Sequence, residues 1–420
     1  MNFLDDLDIK YEYLNQELEL IKPNLTQSVA GILPTLIKHL DVPELPSSLN
    51  LDDLAKNPSL DKKIQESFPS GYKNIILLTC DGVGVNRLAD IGGTLWENIT
   101  SQGSIAYSMY PTMTSVNMTS LSFGMYPADH GLIGYNIYNE HIDTIWNSLN
   151  LKYLNGGAEK SILDRSLSEF VAGDPIVDKI YKDVPTTFLS PVQLESPGLA
   201  DIIIHSAPRT EYEDPMDAGL KLGAALNQSL PNQIISLYIG YADHFGHHMG
   251  PMSMEYEQAI KGINHSLDLV TQNPKITSGD TIVVVTADHG QVQLDHSISN
   301  WMTRNEVADL AKQGIQLSTS GRSIHAYCRQ EKLDRTRAFL ENMAGDRGTI
   351  ITKEQAIAFA GGNLKFEKRF SDLTLLFADN YIYDVPEVVQ LGEEGRLLGQ
   401  HGSLTAKELF VPVGIFGGNG

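Results

Sequence analysis

A chain of 420 residues with 42% apolar residues is long enough for two lobes, or for one core carrying long insertions. Asp and Glu number 52 against 31 Lys and Arg, a formal charge of −21, and a field of that sign repels nucleic acid and anionic membranes at long range. No run of about 18 apolar residues occurs, so no membrane span is expected.

The first residues, Met1 to Asp8, are acidic and lack the basic-then-apolar order of a signal peptide. Cys80 and Cys328 are the two cysteines, too few for a disulfide framework. Both features favour a reducing cytoplasm. Residues 1–70 mix short apolar segments with breaks at Pro43, Pro46 and Pro58, and Thr26 to Leu40 has helical spacing. The reading is a helical prelude packed on the main body.

From Asn74 the texture changes. Asn74 to Leu78, Ile234 to Ile239 and Thr281 to Val285 are compact apolar runs, each followed by a polar cluster containing an aspartate. Such runs, followed by loops and helices, predict buried parallel strands of an α/β sheet with helices on both faces. Ligands gather at the carboxyl ends of strands in these sheets, and Asp81, Asp243 and Asp288 all fall there. Residues 135–232 read as a long insertion, helical from Asp217 to Gln228. Residues 302–395 read as a small inserted α+β lobe, with strands at Ser323 to Cys328 and Leu373 to Phe377 and a helix at Arg335 to Met343. Phe410 to Phe416 reads as a returning strand. The catalytic core is therefore placed at 71–301 and 396–420.

Asp243 and His247 are four apart, so on a helical turn they share one face and can reach one metal, with an N-terminal Asp cap and a surface His as the alternative. His244 and His248 point elsewhere and read as structural, or at most as residues behind the ligands. Asp288 and His289 are adjacent, and after a strand both can turn to one ion, although Asp-His-Gly alone also reads as an ordinary strand-ending turn. His401 lies between Gly399 and Gly402, where glycine permits close backbone approach, although a mobile glycine-rich loop with a solvated His is the alternative. Thr114 precedes a segment, Asn117 to Phe123, that can open a helix, and a helix N-terminus favours anions. A plain N-cap is the alternative for Thr114. Three carboxylates, three imidazoles and a hydroxyl suffice for two divalent metals and a nucleophile. Coordination would activate the otherwise weak hydroxyl. Asn117, about one turn beyond Thr114, is a candidate donor to a phosphoryl oxygen.

These fragments together resemble the alkaline phosphatase superfamily, and most of all its nucleotide pyrophosphatase/phosphodiesterase branch. The motifs are Thr79-Cys80-Asp81-Gly82, Pro111-Thr112-Met113-Thr114 through Asn117, Asp243 through Gly246-His247 to Gly250-Pro251, Ala287-Asp288-His289-Gly290, and His401-Gly402 with the closing Val411-Pro412. Their order and spacing match over about residues 72–416 and leave the prelude uncovered. The resemblance implies one metal held by Asp243, His247 and His401 and another held by Asp81, Asp288, His289 and the Thr114 oxygen. It implies zinc, with manganese as the alternative, and a covalent threonine intermediate. Tyr238 matches a base-stacking tyrosine of relatives, with a tyrosine near the end of a buried strand as the equal alternative, and Ser115 stands where an aromatic residue commonly follows the nucleophile.

Charge counting selects among substrates. Two divalent ions bring about +4 and three aspartates about −3, which suits a phosphodiester of about −1 better than a monoester dianion. No Arg or Lys lies near Thr114 in sequence; Arg209, Arg322 and Arg369 are the candidates to arrive from elsewhere. The expectation is a hydrolase of phosphodiester or pyrophosphate bonds acting on a small phosphorylated substrate, possibly a nucleotide. A phosphomonoesterase or phosphomutase of the same superfamily, or a non-catalytic metal-binding protein, are the alternatives.

Overall fold

The computed structural model describes residues 9–42, 44–47, 49–155, 158–192, 194, 198–204, 207–228, 230–385 and 397–418. The acidic start and Pro43 lie outside the described residues, as does 386–395 at the end of the expected lobe. Strands of the three larger sheets are β1 (Asn74–Cys80), β2 (Ser104–Tyr107), β3 (Asn136–Asn139), β4 (Thr144–Asn147), β5 (Lys152–Asn155), β6 (Ala158–Ser161), β7 (Thr186–Pro191), β8 (Arg209–Tyr212), β9 (Gln233–Ile239), β10 (Thr281–Thr286), β11 (Ile315–Ser320), β12 (Ser323–Cys328), β13 (Gly348–Thr352), β14 (Leu373–Phe377) and β15 (Phe410–Phe416). Helices used below are α1 (Ile32–Lys38), α2 (Pro58–Ser67), α3 (Thr114–Phe123), α4 (Pro215–Leu226), α5 (Tyr241–Met249), α6 (Met254–Val270) and α7 (Leu333–Ala344).

The central sheet has seven strands in the order β8-β7-β9-β1-β10-β15-β2. Neighbours from β8 to β10 pair in parallel, and β15 runs antiparallel to both β10 and β2. The sheet is thus mostly parallel with one returning strand, as the apolar runs predict. Every residue of β1, β10 and β15 is buried, so both faces of these strands are covered, and continuous Ile, Leu and Val is the composition that such strands need. β7 and β8 correct the reading of 135–232 as one insertion, because they come from inside that stretch and belong to the central sheet. Their short runs, interrupted by Ser190 and Glu211, carry too weak a strand signal to be read from pattern alone.

A second sheet, β11-β12-β14-β13, is antiparallel throughout and packs with α7 around its own apolar cluster of Ile315, Leu317, Ile324, Leu340, Leu375 and Phe377. A third is the antiparallel meander β3-β4-β5-β6. It is tied to β11 by Asn136 Nδ2 donating to the Thr319 carbonyl and by Ser318 Oγ donating to that of Asn136. The stretch Thr26 to Leu40, expected to be helical, is two 3-10 turns followed by α1, and the segment before it holds a short antiparallel pair, Tyr13–Asn15 with Leu20–Ile21. Among the described residues no helix is long and apolar enough to cross a membrane.

Candidate metal centre and nucleophile

Four parallel strands deliver their following residues to one edge of the central sheet. Asp81 follows β1, α3 follows β2, α5 follows β9, and Asp288 and His289 follow β10. β15 runs the other way, so the loop leading into it carries His401 to the same edge. Main-chain bonds fix the first crossing: Asp81 donates to the Ile239 carbonyl at 2.8 Å, and Asp243 to that of Asp81 at 3.1 Å. Gly82, at φ +73°, sits under Asp243, where an added Cβ would lie 2.8 Å from the Asp243 Cα.

The three imidazoles share one orientation. Nδ1 of His247 bonds the Gly399 carbonyl at 2.9 Å, Nδ1 of His289 that of Gly290 at 3.2 Å, and Nδ1 of His401 that of Thr112 at 2.6 Å. A carbonyl only accepts, so Nδ1 carries the proton and the Nε2 lone pair faces inward. His247 Nε2 lies 3.3 Å and His401 Nε2 3.8 Å from Asp243 Oδ1. His289 Nε2 lies 3.2 Å from Asp288 Oδ2, 3.5 Å from Asp81 Oδ1 and 3.0 Å from Thr114 Oγ1. The rings of His289 and His401 stack at 3.6 Å and join the two groups. Burial, then the neighbouring His289 and His401's other neighbour His247, hold the His401 imidazole well below its usual range, so it is neutral.

The carboxylates are only half satisfied. Asp288 Oδ1 accepts the amides of Gly82 and His289, and Asp81 Oδ2 accepts the Tyr238 hydroxyl. Their other oxygens, Asp81 Oδ1 and Asp288 Oδ2, are buried with no hydrogen-bond partner among the described residues. Burial, then Asp288 and Asp243, push the Asp81 carboxyl well above its usual range, and the Tyr238 bond acts in the opposite sense. Buried like charges with unmet lone pairs and inward imidazoles fit divalent cations with nitrogen and oxygen ligation. Two sets of three ligand atoms come together, Asp243 with His289 and His401, and Asp81 with Asp288 and His289.

Thr114 is the first residue of α3, and Met113 occupies the N-cap without a side-chain cap. Thr114 is therefore not the N-cap, and the free amides at this helix start are oriented for an anion.

The sequence profile described as "Type I phosphodiesterase / nucleotide pyrophosphatase" matches residues 75–404. The chain belongs to this family. Similar curated proteins include a venom phosphodiesterase of Macrovipera lebetinus, 25% identical over 56% of this chain and 28% of its own length. Another is ectonucleotide pyrophosphatase/phosphodiesterase family member 3 of Mus musculus, 24% identical over 54% of this chain and 26% of its own length. The chain thus spans little more than a quarter of the length of these relatives. Among solved structures, murine ectonucleotide pyrophosphatase/phosphodiesterase 5 superposes with a TM-score of 0.59 at 18% identity, covering 82% of this chain and 88% of that one. Phosphonoacetate hydrolase from Sinorhizobium meliloti 1021 gives 0.57 at 16% identity, covering 82% and 90%. The fold is that of the alkaline phosphatase superfamily, and the type I phosphodiesterase family is metal-dependent.

Against this family background, several side chains differ from expectation. Asn117 is fully buried; its Oδ1 accepts the Met109 amide at 2.5 Å and its Nδ2 donates to the Met113 carbonyl at 3.0 Å. It fastens the loop that presents Thr114, and its amide is committed to backbone, which corrects its reading as a phosphoryl donor. Spacing along a helix cannot distinguish these two uses of an amide. Ser115 is also buried, receiving the Ser148 hydroxyl at 2.7 Å and donating to the Gly134 carbonyl at 3.4 Å. The three arginines are occupied elsewhere: Arg209 by Ser190 and Leu194, Arg322 by Glu408 and three carbonyls, and Arg369 by carbonyls of Gly131, Glu169 and Phe170. His244 and His248 are exposed, ring against ring, on the outer side of α5. Pattern reading missed Gln291. Its Nε2 donates to both the carbonyl and Oδ1 of Asp243, so it orients that carboxylate, but a neutral amide two residues after His289 has no spacing signature.

Proposed function

We propose that this chain is a metal-dependent hydrolase of phosphodiester or pyrophosphate bonds that works through a covalent Thr114 intermediate. One observation carries the reading. The Thr114 hydroxyl, at an uncapped helix start, is 3.0 Å from His289 Nε2 within a cluster whose buried carboxylate oxygens lack partners. Asp243, His247 and His401 would hold one divalent ion, and Asp81, Asp288, His289 and Thr114 a second. Nitrogen and oxygen donors in these numbers favour zinc, with manganese as the alternative. Ions bound there supply Lewis acidity and lower the pKa of a coordinated hydroxyl.

The chain's own residues do the rest. Thr114 Oγ1 gives up its proton to solvent and attacks phosphorus as the bond to the leaving oxygen breaks; that oxygen takes up a proton from solvent, and a water then cleaves the phosphothreonine ester, returning a proton to Thr114 and releasing the phosphoryl product. The free amides at the start of α3 face the phosphoryl oxygens. Asn117 keeps the nucleophile loop in place. Tyr238, whose hydroxyl at the end of β9 bonds Asp81, would be the residue to stack a substrate ring.

A small phosphorylated substrate, and among these a nucleotide, is supported by the relatives. An inactive variant of murine ectonucleotide pyrophosphatase/phosphodiesterase 5 was solved in complex with AMP. The buried Ser115 offers no aromatic face, so base stacking would rest on Tyr238 alone. With Arg209, Arg322 and Arg369 occupied elsewhere, the charge balance favours a diester over a monoester dianion. The separate apolar cluster around β11 to β14 supports treating 302–395 as a lobe inserted in the catalytic core.

Thr114→Ala should lower turnover by on the order of 10⁴-fold or more while metal content stays near normal. Undiminished hydrolysis removes Thr114 as nucleophile. Bis-p-nitrophenyl phosphate should be cleaved faster than p-nitrophenyl phosphate, and the reverse order overturns the diester assignment.

A further inference from the structure

Arg322 and Glu408 form an ion pair at 2.5 Å with both side chains at 0% exposure. Arg322 begins the β12 side of the small antiparallel sheet, and Glu408 precedes β15 of the central one. The rest of the Arg322 guanidinium donates to the carbonyls of Ala378, Asp379 and Tyr381. An apolar pair of similar volume commonly stabilises a fold as well as such an ion pair does, so burial alone does not account for this one.

The surroundings of the pair do. The Arg322 amide donates to the His401 carbonyl at 2.7 Å, and Ser323 Oγ donates to the carbonyl of Gly402. Glu408 Oε1 accepts the Ser403 amide at 3.0 Å, and Oε2 accepts the Thr405 hydroxyl at 2.6 Å. The Glu408 carbonyl accepts the Gly290 amide at 2.9 Å, directly after His289. One residue further, the Leu409 carbonyl accepts the Ser108 amide at 2.8 Å, and the Ser108 hydroxyl donates to the Asp288 carbonyl at 2.6 Å. The buried pair and its immediate neighbours therefore hold the backbone directly after both stacked imidazoles, and through Leu409 and Ser108 also the residue before His289. Gly402, at φ +112°, is packed so closely that a Cβ would lie 2.0 Å from the Ser320 carbonyl, which leaves this loop little freedom once it is held.

We propose that Arg322 and Glu408 are positioning residues that set the register of the His289 and His401 loops, and with it the Nε2 geometry offered to the cations. This rests on the metal reading given above. It also makes the small antiparallel sheet part of the site's frame and not a detachable cover.

The test is amide hydrogen exchange of the metal-free protein, followed by titration with zinc ion against a chromogenic chelator. Glu408→Gln keeps shape and an acceptor for Ser403 but removes the charge that binds Arg322. Exchange should rise in peptides spanning residues 288–291 and 401–404 together, with the rest of the chain protected. Zinc affinity should fall by about 10- to 100-fold, the usual effect of losing a partner behind a metal ligand. Unchanged exchange, or a rise at one loop alone, overturns the proposal. A double variant, Arg322→Met with Glu408→Leu, keeps the volume filled and guards against simple unfolding of the single variant. It should remain folded yet bind zinc as weakly as Glu408→Gln. Wild-type affinity in that double variant would make the pair merely structural and overturn the proposal. Should the wild-type chain bind no zinc, the metal reading fails, while the exchange result still decides the positioning claim.

Discussion

Two clusters of buried charge lie on either side of His401, and they follow opposite rules. On the side of the small antiparallel sheet, Arg322 is closed: its guanidinium is bonded to one carboxylate and three carbonyls. On the side of the central sheet, Asp81 and Asp288 are open: each has one oxygen bonded and one without a partner. The closed cluster is complete within the chain. The open one is complete only with something positive added. Both clusters are buried, but the closed one pairs opposite charges while the open one gathers like charges with unmet oxygens, and that difference separates a structural ion pair from a candidate ligand set.

The sharpest way to break this comparison is to remove one charge from each side and measure stability in chelator. Arg322→Met leaves Glu408 buried without its partner and should destabilise the protein by about 3–5 kcal/mol, with metal or without. Asp81→Asn should act in the opposite direction. It removes a like charge beside Asp288 and Asp243, so the metal-free protein should gain about 1 kcal/mol or more while metal binding is lost. Urea denaturation of the two variants beside wild type reads both signs. If Asp81→Asn destabilises the metal-free form, its carboxylate serves the fold and the open cluster is no ligand set.

The same contrast explains what was legible in the sequence. Ligand-type residues after apolar runs are visible because β1 and β10 carry unbroken runs of Ile, Leu and Val and β9 a run broken only by Ser236 and Tyr238, and their ends are marked by Asp81-Gly82, Gly240 and Ala287-Asp288. Asp243 and His247 are visible because a helix brings i and i+4 together. His401 needed only its flanking glycines. What closes a cluster is long-range: Arg322 meets a residue 86 positions away, and Gln291 meets Asp243 from 48 away. No local pattern encodes such a meeting, which is why Arg322 read as a possible substrate cation and Gln291 was not read at all. Asn117 shows the limit at short range, since its bonds to Met109 and Met113 and a bond to a substrate would demand the same residue at the same spacing. β7 and β8 escaped for a related reason, being strands whose pairing partner, not their own sequence, makes them strands.

A third buried group sharpens the comparison at smaller energy. His130 is closed like Arg322, but in its neutral form. Its Nδ1 accepts the Leu132 amide at 3.1 Å, so the proton sits on Nε2, which donates to Ser120 Oγ at 2.9 Å. Burial, then the nearby Arg369, bring its pKa down to about 3 from 6.5. The folded chain therefore keeps His130 neutral while the unfolded chain takes up a proton below about pH 6.5. This stability is fully present above the unfolded pKa and is lost as pH falls from about 6.5 toward 3, at about 1.4 kcal/mol per pH unit. His130→Gln supplies a donor and an acceptor but no titration. Between pH 6.5 and 4.5, chelator-treated wild type should therefore lose about 2–3 kcal/mol more than the variant. Equal losses would mean that His130 is protonated in the fold and that its site is not closed. Zinc affinity also falls with acid, because protons compete for His247, His289 and His401, but that loss should be the same in His130→Gln as in wild type. A closed group thus makes folding depend on pH, whereas an open group makes ligand binding depend on it.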